Sequence, residues 1–82
     1  MIVKAFVLIE VAVGKTEEVV TALQKVEGVK SVEAVTGPYD IIAVVEGPDV
    51  NAIGDLITRN VHSVSGIART VTCLTVKLGQ AE

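Results

Sequence analysis

The chain has 82 residues, a formal charge of −3, 50% apolar residues and only Phe6 and Tyr39 as aromatics. Such a chain is one domain with a thin core of Val, Ile, Leu and Ala, to which association would add stability. Seven dispersed Lys and Arg without stacking aromatics argue against direct nucleic-acid binding, and one Cys and one His argue against a disulfide framework or a zinc site; no cofactor is expected.

Residues 2–13 are β-branched and apolar. At strand spacing Val3, Ala5, Val7, Ile9 and Val11 share one face, and Ile2, Lys4, Phe6, Leu8 and Glu10 the other. Both faces are apolar in the middle, so both are expected to meet something. Lys4 interrupts this run, no charged leader precedes it, and no apolar stretch is long enough for a bilayer; a cytoplasmic protein with no membrane partner is expected.

Gly14 ends the strand. Thr16 is the expected N-cap of a first helix, with Glu17 and Glu18 in its first turn and Val19, Val20, Leu23 and Val26 at helical spacing. Gly28 is a C-terminal stop. A second strand is expected over 29–36, then a turn at Gly37-Pro38-Tyr39-Asp40 with Pro38 where type I and II turns favour it, then a third strand over 41–46.

Gly47-Pro48 breaks that strand, and Asp49 is the expected cap of a second helix with an apolar stripe of Ile53, Leu56, Ile57 and Val61. Gly54 weakens this helix, which suggests a close neighbour. A fourth strand is expected over 67–78 and a frayed tail over 79–82.

The order is βαββαβ, and an internal echo supports it: Val26-Glu27-Gly28-Val29 after one helix matches Val64-Ser65-Gly66-Ile67 after the other. Two interleaved halves of this kind give an α+β, ferredoxin-like domain over 1–82, a four-stranded antiparallel sheet with two helices on one face. The other face is left uncovered. An apolar face in water is an interaction surface, and the simplest partner is a second copy of the same sheet, giving a homodimer.

Gly14-Lys15-Thr16 resembles the end of a phosphate-binding loop, but Ile9 stands where the motif needs its first Gly. His62 has no nucleophile obviously paired with it, and Cys73, inside the fourth strand, is expected to pack as a small apolar residue. No enzyme chemistry is legible. The turn at 36–40 is more informative. It reads as a hairpin turn in which Asp40 bonds a nearby N–H, or as a site whose N–H groups and Asp40 carboxylate face a small zwitterion. Thr70 and Thr72, at i and i+2 of a strand, present two hydroxyls on one face, with Arg69 on the other.

Val35-Thr36-Gly37-Pro38-Tyr39-Asp40, Gly66-Ile67 and Thr70-Val71-Thr72 together resemble the V-T-G-x-Y-D … G-V-x-x-T-x-T pattern of the Lrp/AsnC (feast/famine) regulators, in their ligand-binding domain. The resemblance covers nearly the whole chain, with Ser65 in place of a common Pro. It implies a ferredoxin-like domain that dimerises through its sheets, assembles further into octamers, and binds an amino acid or similar effector between dimers. It also implies, by matching position, that Gly37, Tyr39, Asp40, Thr70 and Thr72 line that site. The helix-turn-helix of full-length members has no counterpart here, so a stand-alone effector domain is expected, with a full-length relative as a possible partner. Competing readings are a structural adaptor without ligand, an ACT-like regulatory domain, and a small dimeric monooxygenase, for which the usual pocket side chains are missing.

Overall fold

The computed structural model describes residues 2–76. The chain runs β1 (Val3–Val11), α1 (Thr16–Gln24), β2 (Val29–Ala34), β3 (Ile41–Gly47), α2 (Val50–Leu56), a π-helical turn (Ile57–Val61) and β4 (Ile67–Leu74). The strands form one sheet in the order β2-β3-β1-β4, every neighbouring pair antiparallel. This is the ferredoxin-like βαββαβ arrangement expected from the element order. The end of the expected fourth strand and the tail at 79–82 lie outside the described residues.

Register explains the core. Ala5 faces Val45, Val7 faces Ala43 and Ile9 faces Ile41 across β1 and β3, and directly opposed residues point to the same side. All six are buried, together with Val19 and Leu23 of α1, Ile53 of α2, and Ile57 and Val61 of the π-helical turn. The core is wholly aliphatic, as the composition requires.

The internal echo has a crosswise structural counterpart. Gly28 follows α1 with φ +94° yet packs against α2, where a Cβ would overlap Leu56. Gly66 follows the second helical segment with φ +100° yet packs against α1, where a Cβ would lie 3.0 Å from Val19 and 3.1 Å from Lys15. Each half's glycine therefore closes onto the other half's helix, and a left-handed backbone without a side chain is required at both places.

Asp49 caps α2 as expected, its carboxylate accepting from the Ala52 N–H at 2.8 Å. Three expectations are corrected. The N-cap of α1 is Lys15, without a side-chain bond, and Thr16 is already helical; the Val19 N–H reaches the Lys15 carbonyl at 3.0 Å, which starts the helix one residue early. Gly54 has no close neighbour, since a Cβ there would meet nothing within 4 Å. Cys73 is exposed, because it lies opposite Phe6 on the side of the sheet that no helix covers.

Candidate functional site: the turn, the uncovered face and the groove beside β4

The uncovered face has a bounded design. Phe6 opposes Val44 on one side and Cys73 on the other, and Leu8 opposes Ile42 and Val71. These six side chains form an apolar panel across β3, β1 and β4. Charged pairs close it at both ends: Lys4 opposite Glu46, and Glu10 opposite Arg69. The Lys4 ammonium lies 5.6 Å over the Phe6 ring, where the ring's negative face attracts it. Phe6 remains 37% exposed although it sits on a central strand.

The 36–40 turn borders this panel. Its closing bond runs from the Val35 N–H to the Asp40 carbonyl, 2.9 Å, so the connection is wider than a four-residue turn. Gly37 adopts φ +140° with open space around it. Asp40 is fixed at three points: its N–H donates to the Ile9 carbonyl at 2.9 Å, its carbonyl accepts from Val35, and its Oδ2 accepts from the Val11 N–H at 2.9 Å. Asp40 was expected to bond a nearby N–H of the turn; its carboxylate does accept from a backbone N–H, but one outside the turn. The partner is 29 residues away, on β1.

Tyr39 is tied to β4. The Arg69 guanidinium donates to the Tyr39 hydroxyl at 3.4 Å. That contact, followed by the charge of Glu10, raises the Arg69 pKa further above its already high ordinary value, because both favour the cation. Arg69 and Glu10 thus join the turn; the sequence placed each on a strand face but gave neither a part in the site. The pairing depends on the β1–β4 register, which shifts between Glu10 and Val11.

Thr70 and Thr72 stand apart from this cluster. They oppose Ile9 and Val7, so they point to the helix side of β4. The Thr70 hydroxyl is 3.0 Å from Nε2 of His62, the residue capping the π-helical turn. That turn is marked by the His62 N–H reaching the Ile57 carbonyl at 2.8 Å, five residues back. Thr72 lines a groove of about 300 Å³ between α2 and β4. The five residues of the expected site therefore divide in one chain, with Gly37, Tyr39 and Asp40 at the border of the uncovered face and the two threonines on the covered one.

Among the described residues no three His, Cys, Asp or Glu side chains converge as metal ligands, and no helix is long and apolar enough to cross a membrane.

Fold and site together define a small βαββαβ domain with one face closed by helices and the other open. Residues 4–78 match the Lrp/AsnC ligand binding domain, and the chain belongs to that family. It is similar to TTHA0845 from Thermus thermophilus, with 33% identity, 96% of this chain and 99% of that one aligned, and a TM-score of 0.88. It shares its fold with the transcriptional regulator NMB0573 of Neisseria meningitidis, solved as a complex with L-Met, at 20% identity and a TM-score of 0.82, over 96% of this chain and 53% of that one. It is also 37% identical over 62 residues to a homocitrate synthase of Sulfurisphaera tokodaii, a match that takes in 76% of this chain and only 13% of that enzyme.

Proposed function

We propose that residues 1–82 act as a single effector-binding and oligomerisation domain in the cytoplasm. It senses an amino acid or similar small molecule at contacts between dimers and serves transcriptional or metabolic regulation. The observation that carries this reading is the adjacency of the turn and the panel. Tyr39, next to Asp40, is held by Arg69, whose strand also supplies Val71 and Cys73 to the apolar face. A ligand that moves the turn would press on the surface through which two copies meet.

The division of the five site residues supports a site completed between copies, where one chain's turn approaches another chain's β4. Homodimers built sheet to sheet, and octamers of them, provide such contacts, and a full-length relative carrying a DNA-binding domain is a further candidate partner. The likeness to a segment amounting to 13% of a homocitrate synthase supports a module that serves enzymes as well as regulators. Sedimentation velocity with and without each of the twenty amino acids tests the reading. The expected result is an amino-acid-dependent change in assembly, and no response to any of them would count against it.

One observation favours a second reading, a structural adaptor without ligand: the Asp40 carboxylate already serves the Val11 N–H within its own chain. Asp40→Ala separates the two. Assembly kept with the ligand response lost supports sensing; assembly lost supports the adaptor.

A further inference from the structure

We infer that Arg69 is a positioning residue: from β4 it holds Tyr39 of the 36–40 turn, and it thereby couples the turn to the threonines of the same chain, so that one site responds to the filling of another. This rests on the effector-binding reading above and adds to it how the sites communicate.

The turn is tied to the sheet at two residues. Asp40 is bonded to β1, through the Ile9 carbonyl and the Val11 N–H, and Tyr39 is bonded to β4, through the Arg69 guanidinium at 3.4 Å. Thr36, Gly37 and Pro38 are exposed, and a Cβ on Gly37 would meet nothing within 4 Å. Packing therefore leaves the tip free, and Asp40 anchors only its far end. The place of the Tyr39 hydroxyl is set by Arg69. Tyr39 first and Glu10 second favour the Arg69 cation, and a guanidinium donates without ever accepting. It occupies a lone pair of the phenol oxygen and leaves the phenol proton for an acceptor elsewhere.

Chain order supplies the link to the other half of the site. The residue after Arg69 is Thr70, which points to the helix side with its hydroxyl 3.0 Å from Nε2 of His62. Thr70 also stands opposite Ile9, whose carbonyl holds the Asp40 N–H. A displacement of the turn thus reaches β4 by a backbone connection through Ile9 and a side-chain connection through Arg69, and the two arrive at adjacent residues. In a site completed between copies, the turn and the threonines of one chain belong to different sites, and Arg69 lies between them. Filling one site then alters the affinity of the next, and by linkage the effect is reciprocal. Loss of the Arg69 contact would leave the Asp40 anchor in place and remove the side-chain connection.

Threonine-methyl-labelled protein is compared by two-dimensional NMR as parent, Tyr39→Phe, Arg69→Gln and the double variant. Tyr39→Phe removes one oxygen; it is expected to shift the Thr70 and Thr72 methyls when Arg69 is present and to leave them in place in the Arg69→Gln background. Each of the twenty amino acids is then titrated calorimetrically into these proteins and into Glu10→Gln. For an amino acid that the parent binds, Arg69→Gln is expected to weaken binding about five-fold or more and to turn a cooperative isotherm into one of independent sites. Added to Tyr39→Phe, it should have no further effect. Glu10→Gln breaks the cross-strand charge pair and spares the Tyr39 contact; it should cost at most about two-fold. Undiminished binding by Arg69→Gln, additive effects of the two substitutions, or independent sites in the parent overturns the inference while the effector reading stands. A loss in Glu10→Gln equal to that in Arg69→Gln does the same, because it reduces Arg69 to one member of a charge pair. Threonine methyls that ignore Tyr39→Phe overturn the coupling whatever binds. A parent that binds no amino acid overturns the effector reading and the inference with it.

Discussion

The two faces of the sheet are built from alternate residues of the same strands, yet they reach opposite ends. On the helix side Ala5, Val7, Ile9, Ile41, Ala43 and Val45 are buried within one chain. On the other side Phe6, Leu8, Ile42, Val44 and Val71 are aliphatic or aromatic too, but remain partly exposed, with Phe6 at 37%. Hydropathy alone does not distinguish the faces; the helices do. A face that is apolar, uncovered and closed at both ends by charge pairs has the pattern of a surface meant for another protein, apolar at its centre and polar at its rim.

The sharpest way to break that comparison is to place the same charge on each face at neighbouring positions. Val7→Asp buries a carboxylate with no partner, and the chain is expected to lose its cooperative thermal transition by circular dichroism. Leu8→Asp should leave the fold in place and act on association. A smaller change on the covered face, Ile9→Ala, removes packing without adding charge. It should cost about 2–5 kcal/mol in urea unfolding, as large-to-small core substitutions do.

Asp40→Ala comes next in size. It leaves the Val11 N–H without its charged acceptor, and a loss of about 1.5–3 kcal/mol is expected in the same assay. Amide exchange at Val11 should quicken in that variant and stay unchanged in Thr36→Ala. The smallest effect has the opposite sign. Gly54→Ala adds a methyl that meets nothing and should stabilise the chain by about 0.5–1 kcal/mol, read as a small rise in Tm.

Much of the fold was legible because it rests on local signals. The two-sided apolar β1, the Asp49 cap and the paired glycines before β2 and β4 are each visible within a few residues, and together they fix the βαββαβ order. The candidate site was legible only in part. Asp40 was read as an acceptor for a near neighbour, but its partner Val11 comes from another strand. The Arg69–Tyr39 contact spans 30 residues and depends on a β1–β4 register that sets Arg69 opposite Glu10, which no local pattern announces. Thr70 and Thr72 were correctly placed on one face, opposite to Arg69. That this face is turned away from the side where Arg69 meets Tyr39 follows from how β4 lies against β1, which is tertiary information. The error at Cys73 has the same origin: strand membership says nothing about which face a partner covers.

Sedimentation equilibrium of the parent chain and Leu8→Asp, with circular dichroism of both, tests the central claim most directly. The parent is expected to be a dimer or larger at micromolar concentration, and Leu8→Asp a monomer with an unchanged spectrum. A monomeric parent, or a Leu8→Asp variant that associates as the parent does, would contradict the assignment of the uncovered face as the surface on which copies meet.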